Sequence, residues 1–286
     1  MTDPVRSGAS LSVLPTGRLA APKHVTDLTV IFVHGFTANG SYFEVMSDLF
    51  QDWGFSTLAF EYDSYQGIDI ASQELMERLT PLQKNLRGGF VIVAHSLGGL
   101  VVRHFIRTYV LDPIMEGLKG VCTLGTPHGG TLTNNTYLSY LVGWSEWLTE
   151  FSPYLRLPTC RTALQLTRKD PEHLINVLNL RDIARPHQVP ILSVSGGRPY
   201  IELGKGRVAD FSANPYLQSK LDSPNDGLVE ELSSDLTRVV PNNPNFTHFR
   251  DYTDYKKTNH TYLVRNHAIM QHLVDWCRER LAGSTT

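Results

Sequence analysis

Ser96 lies where a short apolar run gives way to helical spacing, in the segment VIVAHSLGGL at residues 91–100. Residues 89–96 are typical of a buried strand, and residues 97–110 carry apolar side chains at helical spacing. A serine at so sharp a strand-to-helix turn has a strained backbone, which requires small neighbours two positions away, here Ala94 and Gly98. Free N–H groups at the helix N-terminus would favour an anion developing there. The pattern therefore predicts that Ser96 is a nucleophile rather than a structural helix cap.

Strand-like and helix-like segments alternate along most of the chain, so the serine is expected to sit on a layered scaffold. Buried strands are predicted at 28–36, 55–63, 89–96, 118–127 and 189–197, with a weaker one at 245–255. Helices are predicted at 41–54, at 70–86 with an irregularity at Pro81, at 97–110 and at 268–281. This alternation predicts an α/β protein with a mostly parallel central sheet and helices on both faces.

Four segments resemble the α/β-hydrolase superfamily, and its lipase and esterase branch in particular. AHSLG resembles the nucleophile motif, with Ala94 where glycine is commonest, as in some bacterial lipases. VIFVHGF, at 30–36, resembles the strand and loop that hold the oxyanion hole. LGTPHGG, at 124–130, resembles a segment of bacterial lipases and of hydrolases similar to the deacylase of glycosylphosphatidylinositol anchors. NDGLV, at 225–229, resembles the turn that carries the catalytic acid, and the order Ser, Asp, His matches.

The resemblance implies that the general base is a histidine after the last strand. His260, in the polar loop KKTNHTYLV, is the predicted base. His267 at the start of the final helix and His248 inside the weak strand are the competitors. Three earlier histidines lie in the family motifs but not at the chain position of the base: His34, His95 and His128. All three are interpreted as hydrogen-bonding residues of loops.

Asp226 is the predicted acid, because it follows the fifth predicted strand and precedes a glycine that tolerates turn geometry. Other carboxylates lie near it in the sequence: Asp222, Glu230, Glu231 and Asp235. The segment after the fourth predicted strand contains no carboxylate, so an acid placed there is excluded. By the same resemblance, the backbone N–H groups of Phe36 and Leu97 form the oxyanion hole.

Two long stretches interrupt the alternation of strands and helices. Residues 131–161 are rich in tyrosine, tryptophan and leucine and lie between two predicted strands. They are predicted to form a helical cap insertion that could bind an acyl chain, or alternatively a packed pair of helices that contributes to the core. Residues 198–224 form a polar connection with little periodicity, at a strand end where α/β proteins often carry binding residues.

Composition bounds what else the 286-residue chain could do. Its formal net charge is −2 and its basic residues form no stripe, which excludes nucleic acid as a partner by charge. Three scattered cysteines indicate neither a disulfide framework nor zinc, and neither a metal nor a cofactor is expected. The sequence shows no leader pattern and no apolar run of about 18 residues. We therefore expect a cytoplasmic protein without stable membrane insertion. A chain that had lost a signal peptide would have the same pattern. We expect one domain over 1–286; the oligomeric state is open.

These features predict a serine carboxylester hydrolase that acts through an acyl-enzyme on Ser96. The substrate would be a small-molecule or lipid ester. An acyltransferase or a thioesterase using the same residues is the alternative, since a fold does not fix the acyl acceptor. A non-catalytic binding module is disfavoured because Ser96, Asp226 and His260 are all retained.

Overall fold

A computed structural model describes residues 10–13, 29–86, 89–130, 161–166, 174–198, 200–202, 208–210, 224–250 and 258–282. The strands are β1 (Ser10–Val13), β2 (Thr29–Val33), β3 (Ser56–Glu61), β4 (Phe90–His95), β5 (Leu118–Leu124), β6 (Ile191–Val194), β7 (Tyr200–Glu202), β8 (Val208–Asp210) and β9 (Phe246–Phe249). The α-helices are α1 (Glu44–Asp52), α2 (Ile68–Leu79), α3 (Leu97–Thr108), α4 (Ile114–Gly117), α5 (Arg161–Leu166), α6 (Leu174–Ala184), α7 (Glu231–Ser234), α8 (Leu236–Val239) and α9 (His267–Ala282). Short 3-10 helices lie at Gly40–Phe43 and Thr80–Leu82.

Seven of these strands form one sheet in the order β1-β3-β2-β4-β5-β6-β9. Strand β1 is antiparallel to β3, and the other neighbours in the sheet are parallel. All six predicted strands are present, and the α/β-hydrolase fold predicted from the sequence is confirmed. Strand β4, which leads into Ser96, is the central strand, so the serine emerges at the middle of the sheet's carboxyl edge.

The sheet separates two apolar cores, as expected when successive side chains of a buried strand point to opposite faces. Ile31 and Ile92 pack on one face, in the core that includes the apolar faces of α2 and α3. Phe32 and Val93 pack on the other, against α1 and α9. Helices therefore cover both faces, and this packing fixes the strand ends from which the candidate site is built.

The structure adds elements that the sequence patterns did not indicate. Strand β1 extends one edge of the sheet, and β7 and β8 form a separate antiparallel pair inside the connection interpreted as aperiodic. These strands have only three or four residues, too few to show a period. The irregularity predicted at Pro81 is a change from α-helix to 3-10 helix. Of the predicted cap insertion, 131–160 lies outside the described residues, so both interpretations of it stay predictions.

Two further properties concern the described part of the chain only. None of its helices is both long enough and apolar enough to cross a bilayer. Cys122 in β5 and Cys277 in α9 are buried free thiols, and Cys160 lies outside the described residues.

Candidate active site

Ser96 occupies a strained turn between β4 and α3. Its backbone has φ 52° and ψ −122°, in the left-handed half of conformational space that a side chain disfavours. The Ser96 N–H donates to the carbonyl of Leu124 at 2.8 Å, which joins the turn to the end of β5. The predicted sharp turn is therefore present, and sheet and helix hold it from both sides.

Glycines let neighbouring backbone approach this turn. A Cβ at Gly98 would lie 2.5 Å from the carbonyl oxygen of Val33 and 2.6 Å from that of His34. A Cβ at Gly35 would lie 2.9 Å from the Cβ of Ser96. The requirement for a small residue at 98 thus comes from the end of β2, and Gly35 brings that loop against the serine.

Asp226 and His260 form a buried hydrogen-bonded pair. The His260 Nδ1 is 2.8 Å from Asp226 Oδ2, and both residues are almost fully buried. The other carboxylate oxygen, Oδ1, accepts the backbone N–H groups of Leu228 and Val229 at 3.0 and 2.8 Å. The backbone N–H of His260 also donates to the backbone carbonyl of Asp226 at 2.8 Å. Because the carboxylate accepts at Nδ1, Nε2 of the imidazole is left to accept a proton.

Two side chains from the serine's side of the site hold the loop that carries His260. The His95 Nε2–H donates to the His260 carbonyl at 2.9 Å, and the two rings are 4.6 Å apart. The Tyr42 hydroxyl donates to the carbonyl of Thr261 at 3.0 Å. Burial lowers the pKa of His95 well below its usual range and raises that of Tyr42, so both stay neutral donors. Tyr42 was not identified from the sequence, because 219 positions separate it from Thr261.

The competing histidines lie elsewhere. His248, in β9, contacts the hydroxyls of Ser193 and Ser195 at 3.0 Å each, and His267 is exposed at the start of α9.

Two of the competing carboxylates form contacts elsewhere. Glu231 pairs with Arg250, and Asp235 caps α8 through the N–H of Thr237. Asp222 lies outside the described residues. Among the described carboxylates that follow β6, only Asp226 is within hydrogen-bonding distance of the His260 ring.

The two residues predicted to supply the oxyanion-binding amides are Leu97, next to Ser96 in the chain, and Phe36, next to Gly35. Leu97 is the first residue of α3, and Phe36 follows the Gly35 that contacts Ser96. The Gly35 carbonyl accepts from His34 Nδ1 at 2.9 Å and from the Ala38 N–H at 3.3 Å, which fixes the Gly35–Phe36 peptide. Neither the Phe36 nor the Leu97 N–H donates to another described residue.

A buried ionic network lies beneath the GTPHGG segment and links it to two helices. Arg103, in α3, pairs with Asp182 of α6 at 2.6 Å, and both side chains are fully buried. Arg107 pairs with the same carboxylate. His128 is also buried, and its Nδ1 and Nε2 contact Arg103 and Thr123 at 3.3 and 3.0 Å. The interpretation of His128 as a structural hydrogen-bonding residue agrees with these contacts.

Comparison with known proteins shows a match to one protein family over more than half of the chain. Residues 23–197 match the family described as "Putative serine esterase (DUF676)", a range that contains Ser96, Phe36 and Leu97 but ends before Asp226 and His260. No curated protein matches the chain.

Solved structures share the fold at low sequence identity. A lipase of Bacillus licheniformis, BlEst2 in mature form, has 16% identity over 93% of this chain and 97% of its own, with a TM-score of 0.62. A lipase-esterase related protein from Clostridium acetobutylicum has 12% identity over 95% and 98%, with a TM-score of 0.54. A thermophilic esterase from Thermogutta terrifontis has 13% identity over 95% and 93%, with a TM-score of 0.54.

Proposed function

Since the chain belongs to the serine esterase family DUF676 and is a carboxylic ester hydrolase, we propose that it hydrolyses esters through an acyl-enzyme on Ser96. Asp226 and His260 complete the triad in this proposal. The observation that carries it is the buried Asp226–His260 hydrogen bond of 2.8 Å, whose loop His95 ties to the strand end that bears Ser96.

The reaction begins when His260 Nε2 takes the Ser96 hydroxyl proton as Oγ attacks the ester carbonyl carbon. The carbonyl oxygen becomes an oxyanion and accepts hydrogen bonds from the amides of Phe36 and Leu97. The ester C–O bond then breaks, and the leaving alcohol takes the proton from His260. Water repeats these steps on the acyl-enzyme, with His260 again accepting a proton, and releases the carboxylic acid and free Ser96.

The fold supports this series of reaction steps because the residues assigned to them lie beyond the ends of several strands of one sheet. Ser96 follows β4, and Phe36 follows β2. Asp226 lies in the connection between β6 and β9, after β8, and His260 lies after β9. The left-handed backbone of Ser96 is consistent with the strain that nucleophile turns store. The buried Asp226 would stabilise the imidazolium that forms during each proton transfer.

The test combines covalent labelling with ester hydrolysis. A fluorophosphonate should label the wild-type protein at Ser96, and Ser96→Ala should lose both labelling and turnover of an aryl ester. Ser195→Ala is the matched control, because Ser195 also follows a parallel strand but contacts His248. It should keep both properties. Labelling at another residue, or undiminished turnover by Ser96→Ala, would refute the assignment.

The base and the acceptor need their own variants and products. His260→Asn should lower kcat by about 10⁴-fold. His248→Asn should retain activity, because the His248 ring, in β9, contacts the hydroxyl of Ser193 in β6.

Incubation of the wild-type protein with an ester and an added alcohol should still give free acid as the acyl product. Preferential formation of a new ester would instead indicate an acyltransferase.

A further inference from the structure

Thr126 contacts the backbone of the nucleophile turn from the end of β5. Its side chain is fully buried, and its hydroxyl donates to the Ser96 carbonyl at 2.9 Å. The N–H of Gly99 donates to the same carbonyl at 3.1 Å. The Ser96 carbonyl is therefore held by two donors, one from the helix and one from a neighbouring strand end.

That carbonyl belongs to the same peptide group as the Leu97 N–H. The described chain has no cis peptide bond, so the C=O of Ser96 and the N–H of Leu97 point in opposite directions in one plane. Two hydrogen bonds on the oxygen thus set the direction in which the N–H points. Since the φ and ψ of Ser96 are strained, the peptide plane needs such restraint to hold one orientation.

Gly99 makes the close approach of Thr126 possible. A Cβ at Gly99 would lie 2.1 Å from Thr126 Oγ1 and 2.7 Å from its Cγ2. The second glycine of the segment SLGGL is therefore needed for the threonine contact, while Gly98 is needed for β2. The backbone of Thr126 is in turn fixed by a hydrogen bond, because its carbonyl accepts the backbone N–H of His128 at 2.9 Å.

We propose that Thr126 is a positioning residue of the oxyanion hole, which orients the Leu97 N–H through the Ser96 carbonyl. The inference rests on the proposed function, because it requires Leu97 to donate to the oxyanion. Thr126 touches neither substrate nor the acid–base pair in this role. Its contribution would appear where negative charge develops in the transition state, and not in ground-state binding.

The test compares Thr126→Val, which keeps the shape and loses the hydroxyl, with Thr126→Ser, which keeps the hydroxyl. Removing an oxyanion donor costs about 10²–10³-fold in kcat, and loosening one should cost less, about tenfold. We expect Thr126→Val to lower kcat about tenfold with KM unchanged, and Thr126→Ser to restore most of the loss. A trifluoromethyl ketone, which forms a tetrahedral adduct on Ser96, should bind Thr126→Val more weakly by the same factor. Wild-type kcat in Thr126→Val would overturn the proposal.

Fluorophosphonate labelling separates positioning from a folding defect. If Thr126 positions the amide, Thr126→Val should label to the full end point about ten times more slowly than wild type. A reduced end point reached at the wild-type rate would mean that part of the protein is misfolded, and would overturn the proposal. Failure of the proposed function would look different, because the wild-type protein would then not be labelled at Ser96.

Discussion

Gly125→Ala places a methyl group on the hydrogen bond between the candidate acid and base. Gly125 has φ 56°, and a Cβ built there would lie 2.9 Å from both Asp226 Oδ2 and His260 Nδ1, and 2.8 Å from a methyl of Leu263. Carbon does not approach these atoms so closely, so the carboxylate and the imidazole must each move away from the new methyl by about half an ångström, which disturbs their hydrogen bond of 2.8 Å. Under the proposed mechanism, this substitution weakens the contact that orients the imidazole.

The expected loss follows from the kind of bond that is disturbed. A hydrogen bond to a charged group contributes about 1.5–3 kcal/mol, and each 1.4 kcal/mol of transition-state stabilisation is a factor of ten in rate. We therefore expect kcat to fall between tenfold and about 150-fold. The left-handed backbone adds a stability cost of about 1–2 kcal/mol for any residue with a Cβ.

Gly54→Ala is the matched control, because Gly54 also has positive φ, 82°, but lies just after α1 at the opposite edge of the sheet. Both variants should lower the urea midpoint, Gly125→Ala by more because its methyl also overlaps buried groups, and only Gly125→Ala should lower kcat for an aryl ester. Circular dichroism and labelling end points would establish that each variant is folded. Wild-type kcat in folded Gly125→Ala would refute the reasoning that the Asp226–His260 contact orients the base.

Three further outcomes are expected. Tyr42→Phe removes the hydrogen bond to the Thr261 carbonyl, worth about 1 kcal/mol, and steady-state kinetics should show kcat about fivefold lower at unchanged KM. Arg103→Met leaves the buried carboxylate of Asp182 with less compensation, and urea unfolding should show a loss of about 3–5 kcal/mol. Burial lowers the pKa of His187 to about 4 from its ordinary 6.5, so the unfolded chain takes up a proton that the folded chain does not. Above pH 6.5 the ring is neutral in both states and its ionisation does not affect stability. As the pH falls from 6.5 towards 4, it destabilises the fold by up to about 1.4 kcal/mol per pH unit, and His187→Phe should reduce the dependence of the urea midpoint on pH.

The sequence alone determined the features that depend on local pattern. The six strand segments are apolar runs bounded by glycine, proline or polar residues, and the positions of Ser96, Asp226 and His260 follow from short motifs in a fixed order. A strand-to-helix turn with small neighbours is a local requirement, because only residues within a few positions contribute to its backbone sterics. Hence the fold class could be predicted, and candidate site residues could be named from their motifs.

What only the tertiary structure decided are contacts between segments distant in the chain. No pattern indicates that Tyr42 bonds to the residue after His260, or that the second glycine of SLGGL makes room for Thr126. Such contacts depend on the packing of strand ends. A threonine looks the same in the sequence whether its hydroxyl faces solvent in a turn or donates to the Ser96 carbonyl. The sequence supplied the candidate reacting groups. The sheet brings β2, β4 and β5 side by side and so decides which neighbouring residues restrain those groups.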